Sequence, residues 1–225
     1  MRQIHKRIHE EGTVAILVTF AVVALAVFAV NWFWPKQTIW HVLYYLLNIV
    51  IITLMVRFFR IPIWRSTTIE ENAVISPADG VVAANEVTLE DEYFHDKRRQ
   101  ISIFMSIYDV HINVFPFDGE VVYYKYHSGK FLLAFNPKSS TENEHNTIVL
   151  KDAKGREVLV RQIAGFVARR IVCDLQSGDK AKVGEELGMI RFGSRVDVFL
   201  PLDAEVKVKI GDRMVSKETV LAKLL

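Results

Sequence analysis

Two apolar runs, residues 13–34 and 38–59, lie back to back near the N-terminus and restrict the fold more than any other feature. Only Thr13, Thr19 and Asn31 interrupt the first; His41, Asn48, Thr53 and Arg57 interrupt the second. Each is roughly 20 residues long, enough for a helix to cross a bilayer core of about 30 Å. The link Trp34-Pro35-Lys36-Gln37 is short and holds a helix breaker, so a helical hairpin is predicted. Trp32, Trp34, Trp40, Tyr44 and Tyr45 cluster at its turn, where aromatic side chains suit a membrane interface. A cleaved leader does not fit, because the second run follows at once with no small-residue cleavage site between.

Charge predicts the orientation. Arg2, Lys6 and Arg7 precede the hairpin, Arg57, Arg60 and Arg65 end it, and the link has only Lys36. The positive-inside rule places both termini on the cytoplasmic side of the cell's inner membrane. Residues 1–65 are therefore expected to form an anchor and residues 66–225 a separate domain. A formal net charge of +2 is too small to imply a nucleic-acid partner; the basic residues beside the hairpin suit anionic lipid headgroups. Cys173 is the single cysteine, which excludes an internal disulfide and a cysteine-based zinc cluster. No metal ligands are assigned.

Beyond residue 66 the apolar residues fall into short Val- and Ile-rich runs separated by Asp-Gly, Lys-Gly, Ser-Gly and Ile-Gly turns. Strands are predicted around residues 74–75, 81–83, 101–105, 121–124, 147–150, 158–160 and 196–200. Helical spacing is confined to residues 163–171 and 217–225. A short repeat supports a β reading: Gly178-Asp179 and Gly211-Asp212 each precede a glutamate seven positions after the glycine, Glu185 and Glu218. Two such strand-turn-strand units predict a mainly β domain, a pseudo-symmetric β-sandwich or flattened barrel of the lipoyl- and biotinyl-domain kind.

Between those units lies Arg191-Phe192-Gly193-Ser194-Arg195-Val196-Asp197-Val198-Phe199-Leu200-Pro201, with the only Gly-Ser bond of the chain. A serine hydroxyl can attack the preceding carbonyl and convert the amide to an ester, and glycine leaves that carbonyl unshielded. Elimination and hydrolysis would then leave a pyruvoyl group, whose carbonyl can form a Schiff base with an amine and act as an electron sink.

Other segments carry candidate chemistry. Ser76-Pro77-Ala78-Asp79-Gly80 places an aspartate in a tight turn before a strand, and His111 lies among alternating apolar residues. Residues 126–131 and 136–146 form a polar stretch too long for a tight turn, suited either to a substrate loop or to a solvated one. Arg161, Arg169 and Arg170 offer guanidinium groups for phosphate or for surface charge.

Together these elements resemble the phosphatidylserine decarboxylases, in their short form with an N-terminal hydrophobic region. The resemblance rests on SPADG from Ser76, DVHIN from Asp109, GKF from Gly129, NEHN from Asn143, RQIAG from Arg161 and FGSRVDVFLP from Phe192, in one order. It implies a self-processing proenzyme cut between Gly193 and Ser194. The expected products are a large membrane-associated β subunit, residues 1–193, and a small α subunit, residues 194–225, paired as a heterodimer. The α subunit would begin with a pyruvoyl cofactor made from Ser194. The implied reaction is a lyase reaction of phospholipid biosynthesis: phosphatidylserine from the membrane becomes phosphatidylethanolamine and carbon dioxide through a Schiff base.

By the same likeness Asp79 and His111 assist processing or decarboxylation, and Lys130, His127 and Arg169 are candidate substrate-binding residues. Longer members carry a second histidine three positions after the first, where this chain has Val114. Two other classes compete. A lipoyl-type carrier would modify Lys180, but the equivalent position in the repeat is Arg213. A serine peptidase would use Ser194, but no peptidase signature surrounds it.

Overall fold

A computed structural model describes residues 7–130, 139–165, 171–191 and 194–225. The chain divides into two compact units, Met1–Ile63 and Trp64–Leu225.

The first unit is a pair of helices, α1 (Glu10–Phe33) and α2 (Ile39–Phe58). Glu10 and Glu11 occupy the first turn of α1, where carboxylates offset the positive end of the helix dipole. The His9 side chain caps it by accepting from the Glu11 amide at 3.2 Å. At the turn, Asn31 Oδ1 accepts from Tyr45 Oη and Gln37 Nε2, both at 2.8 Å. Both helices are long and apolar enough to cross a membrane, and Leu17, Phe28, Trp32, Trp40 and Leu47 project outward without protein cover. Such a surface is compatible with membrane association.

The second unit is mainly β, as its alternating Val and Ile runs predict. Its strands are β1 (Ala73–Ile75), β2 (Gly80–Glu90), β3 (Asp96–Met105), β4 (Ile112–Val114) and β5 (Gly119–His127). After a short helical turn, α3 (Ser139–Glu142), come β6 (His145–Lys151), β7 (Glu157–Ala164), β8 (Ile171–Val172) and β9 (Lys180–Ala181). The last are β10 (Glu186–Ile190), β11 (Ser194–Leu200), β12 (Glu205–Val206), β13 (Arg213–Met214) and β14 (Val220–Lys223). One curled antiparallel sheet runs β13-β2-β3-β11-β7-β6-β5-β9; two small sheets run β1-β14-β12 and β4-β10-β8. The core joins them: Val82, Ile103, Val196, Val160, Ile148 and Val121 of the large sheet meet Val74 and Leu221 of one small sheet and Leu187 and Ile190 of the other.

The two helical expectations in this domain are corrected. Residues 220–223 form β14 between β1 and β12, and residues 163–164 and 171–172 belong to β7 and β8. Leu, Ala and Lys have good helix propensity, but strand pairing supplies more than that weak local bias.

The large sheet reads alike from either end. The repeat seen in the sequence forms its two edges: Gly178 and Asp179 bracket Val121 through backbone bonds of 2.7 and 2.9 Å, and Gly211 and Asp212 bracket Val82 at 2.9 and 3.0 Å. The correspondence extends to Pro77-Ala78-Asp79-Gly80 and Pro116-Phe117-Asp118-Gly119, which cross-bond through Ile75 N to Pro116 O (3.0 Å) and Val114 N to Pro77 O (2.9 Å). A Cβ on Gly80 would lie 2.2 Å from the Phe104 carbonyl oxygen, and one on Gly119 2.3 Å from that of Lys151. Each half therefore needs glycine where its strand crosses another backbone.

The halves are nested rather than consecutive. In one, β6 and β7 meet at the Lys151–Glu157 pair and are joined by a turn that Asp152 caps. In the other, β3 and β11 meet at the Met105–Ser194 pair, and the whole second half is threaded between them. Ser194 thus stands at the mouth of an opened hairpin.

Candidate active site

Ser194 begins β11 in the middle of the large sheet, between Met105 of β3 and Ala164 of β7, and is fully buried. Strand alternation turns Ser194, Val196, Val198 and Leu200 toward the main core. The Ser194 hydroxyl donates to the Met105 sulfur at 3.2 Å. A thioether is a weak acceptor, so this contact orients the hydroxyl without holding it strongly.

The same sulfur is approached by Asn113 Nδ2 at 3.7 Å. Asn113 Oδ1 accepts from Gln162 Nε2 at 2.7 Å, and Gln162 Oε1 accepts from Asn146 Nδ2 at 2.9 Å. All three amides are fully buried. A line of carboxamides thus crosses from β6 through β7 and β4 to the neighbourhood of Ser194. Buried amides are costly unless paired, so this mutual pairing fixes their positions and, through Met105, the surroundings of the hydroxyl.

On the opposite side of β11, Arg195 and Asp197 form a buried ion pair. Asp197 Oδ2 also accepts from Gln100 Nε2 at 3.1 Å and Ser140 Oγ at 2.7 Å, which docks the α3 turn onto the sheet. Both faces of the strand are covered, matching its unbroken burial from Ser194 to Leu200.

Asp79 is buried and heavily engaged. Arg65 grips it with two bonds, Nη1 to Oδ1 at 2.6 Å and Nη2 to Oδ2 at 2.9 Å. The Ser216 amide donates to Oδ1 at 2.9 Å and the Val110 amide to Oδ2 at 3.3 Å. Burial by itself would raise the carboxyl pKa, but the Arg65 bonds, the Ser216 amide, the Arg65 charge and the Val110 amide hold it below the usual range. A carboxylate so paired is a poor proton acceptor. What it does hold is the backbone just before His111.

His111 is fully buried, and its Nδ1 meets the Asp109 carbonyl oxygen at 3.0 Å. A carbonyl can only accept, so Nδ1 carries the proton and Nε2 is the basic nitrogen of the neutral ring. Asp109 is held in turn by Ser106, whose amide and hydroxyl both donate at 2.8 Å, and by Arg213. The His111 carbonyl accepts from Ile190 N at 3.2 Å, tying this segment to the strand that leads toward Ser194. The Val110 amide links Asp79 to the backbone directly before His111.

A second polar cluster lies beside the turn between β2 and β3. Glu92 Oε1 meets His127 Nε2 at 2.6 Å, and Glu92 Oε2 accepts from Thr147 Oγ1 at 2.7 Å and Arg161 Nη2 at 2.9 Å. The His127 and His145 rings stack, centroids 4.4 Å apart and 12° from parallel. Burial would raise the Glu92 pKa, but Thr147, His127 and Arg161 bring it below normal. Arg161 also pairs with fully buried Glu90 at 3.0 Å. Its guanidinium is therefore neither a surface charge nor free for phosphate, which corrects both sequence readings of this residue.

The remaining candidates are more dispersed. Lys130 is exposed and pairs with Glu142 at 3.1 Å. Gly193 and Arg169, like Phe131 and Arg170, lie outside the described residues. Lys180 projects from β9 and pairs with Glu120 at 2.6 Å. Burial pushes the Cys173 thiol up to about 12, which makes it a poor nucleophile at neutral pH. Arg65, Asn113, Gln162, Asn146 and Glu92 were not singled out from the sequence. For the three amides a signal was present: polar side chains at inward positions of otherwise apolar strands.

The surroundings of Ser194 define an enclosed serine poised at a strand opening. The phosphatidylserine decarboxylase family model matches residues 51–222. A phosphatidylserine decarboxylase proenzyme of Cytophaga hutchinsonii is 45% identical over 215 residues, covering 96% of this chain and 97% of the relative. The proenzyme of the same name from Phocaeicola vulgatus is 45% identical over 218 residues, covering 97% and 95%. That of Amoebophilus asiaticus is 50% identical over 167 residues, 74% of each chain. The chain belongs to the phosphatidylserine decarboxylase family. It is a decarboxylase.

Proposed function

We propose that this chain is a self-processing decarboxylase that converts phosphatidylserine to phosphatidylethanolamine and carbon dioxide. The observation that carries the reading is the Ser194 hydroxyl, buried at the first residue of β11 and donating to a thioether, a weak acceptor. In processing, the Ser194 oxygen adds to the Gly193 carbonyl carbon, its hydroxyl proton is relayed through His111 to the Ser194 nitrogen, and the amide C–N bond breaks to leave an ester and a free amine. Elimination releases Gly193 as a carboxylate and leaves dehydroalanine, which takes up water and loses ammonia to give the pyruvoyl end. That group supplies a carbonyl electron sink for the substrate amine. The site residues fit it, since Ala164 and Met105 enclose the position without presenting a charge.

His111 is assigned the proton transfers. Its neutral ring can accept the hydroxyl proton and later return one to the former α carbon of the substrate. Asp79, fixed by Arg65, holds the 109–111 backbone in place and so acts as a positioning residue. The α subunit, residues 194–225, contributes β11 to the centre of the sheet and stays bound to residues 1–193 after the cut.

The helical hairpin anchors the domain to the inner membrane, with the catalytic unit on the cytoplasmic side. The flanking Arg and Lys residues support that orientation. Intact mass under denaturing conditions tests the whole reading. Two fragments are expected, the smaller lacking a free amine. Ser194→Ala should leave one uncut, inactive chain, and an active chain of unbroken mass would overturn the proposal.

A further inference from the structure

We infer that Glu92, His127 and His145 form a site for a divalent transition-metal ion of the zinc class. One ligating atom from each of the three residues lies within 4.8 Å of the others. Two imidazoles and a carboxylate are a donor set that favours zinc, cobalt or nickel over magnesium or calcium. The inference does not depend on the decarboxylase reading.

The details of each ligand suit the role. His145 Nδ1 faces the Asn143 carbonyl oxygen at 2.7 Å, so Nδ1 is the donor and Nε2 keeps its lone pair. A metal-bound histidine that donates its other N–H to a backbone carbonyl is the common arrangement, because the carbonyl fixes tautomer and ring orientation. His127 presents Nε2 to Glu92 Oε1 at 2.6 Å, with its side chain about a quarter exposed, which gives an entry path. An ion between these two atoms replaces the proton they share, parts them by under roughly 1 Å to reach normal coordination distances, and turns the stacked His127 and His145 rings toward it.

Glu92 also accepts from the Tyr123 hydroxyl, through Oε1 at 3.2 Å, and a second lone pair can keep this neutral donor while the oxygen ligates. Its Oε2 holds Arg161 and Thr147, and Arg161 keeps a second carboxylate in Glu90, which also caps the amides of residues 92–94. Ligation through Oε1 therefore leaves Arg161 paired. The local charge of Glu90, Glu92 and Arg161 sums to one negative, which favours a cation. His127 ends β5 and His145 begins β6, a cross-strand pair. An ion there would fasten the stem of the polar segment between them to the β2–β3 turn.

The test uses the full chain in detergent, free of any histidine tag and stripped with a chelator, titrated with Zn²⁺ against a chromophoric chelator and separately with Co²⁺. Expected are one ion per chain, a tetrahedral-type visible Co²⁺ spectrum and a rise in melting temperature with Zn²⁺. His127→Ala should weaken binding by more than the roughly 10–100-fold that loss of an outer-shell partner costs. Because His145 is buried, His127→Gln serves as the variant least damaging to the fold. It should keep the metal-free melting temperature and lose the Zn²⁺-dependent rise. Absence of stoichiometric binding in the parent, or an unchanged affinity in both His127 variants, would overturn the inference.

Discussion

Asp79 and Asp118 occupy equivalent places in the two halves of the β domain. Each follows Pro-x in a turn before a strand, and each accepts a backbone amide from the edge unit that pairs with that strand: Ser216 N at 2.9 Å for Asp79 and Val183 N at 2.7 Å for Asp118. The halves then diverge. Asp118 is exposed, whereas Asp79 is buried, gripped by Arg65 and bonded to the backbone before His111. The shared bond is what the fold requires of a clasp. The added partners, Arg65 and the Val110 amide, are what Asp79 has acquired beyond it, and Val110 directly precedes His111.

The largest expected contrast is at the strand openings. Ser194→Ala should abolish cutting and activity, while Glu157→Ala, at the equivalent position of the closed hairpin, should leave cutting intact on a denaturing gel. Loss of cutting in both would mean that the fold, not the hydroxyl, controls processing.

Next comes His111. Its counterpart before the first small strand is Asn72, which binds Lys154 and Arg156. His111→Ala should still yield some cut chain but lose turnover by about a hundred- to ten-thousand-fold, the usual value of general acid-base catalysis. Asn72→Ala should not change turnover per folded molecule. A folded, cut His111→Ala protein with parental turnover would end the catalytic assignment.

The clasp itself comes after these. Asp79→Asn leaves the Arg65 charge without its partner in a largely buried place, and removing one member of a buried pair costs about 3–5 kcal/mol. Uncut chain should accumulate. Asp118→Asn keeps an acceptor in water and should cost about 1 kcal/mol; denaturant melts of both variants would measure the gap. The difference also depends on pH. The Asp79 pKa is lowered in the folded protein, so its stabilisation is full above the ordinary value of 3.8 and fades as pH falls through the folded value. The advantage of the parent over Asp79→Asn should therefore shrink in that acid window and stay flat at higher pH. A difference that held constant down through it would show that the charge is irrelevant.

The least expected effect concerns Cys173, which belongs to the half without Ser194. With its thiol pushed up to about 12 and its sulfur bonded to the Leu187 carbonyl, alkylation at neutral pH should be slow until the domain unfolds. Fast labelling of folded protein would contradict that burial.

Much of the architecture is legible in the sequence because β-branched runs report strands directly. Residues 196–200 and 147–150 are examples, as are the glycine-aspartate units that become the two sheet edges. The end of the chain is not legible. Residues 217–225 have helix-forming composition, and only the presence of β1 and β12 as neighbours makes β14 a strand. Ser194 stands out because its chemistry depends on one adjacent residue. The amide line does not, since Asn113, Gln162 and Asn146 come from three strands and meet only in the fold. Arg65 reads as the last basic residue of a membrane flank, yet it is committed to Asp79 and counts less toward lipid contact than its position suggests.

The nesting of the halves has a consequence for the order of events in the life of the molecule. Residues 194–225 supply the central strand β11 and the strand β14 of a separate small sheet. Ser194 acquires its buried surroundings only when β3 and β7 have closed on it. If the chain is cut before Ser194 as proposed, assembly must come before scission, and scission is then a one-way ratchet. A chain severed early would have to recapture a short peptide from solution, by a bimolecular search, whereas a chain severed after folding keeps that peptide threaded through its middle. On that proposal the uncut bond serves as a folding tether that becomes dispensable once the sheet is complete.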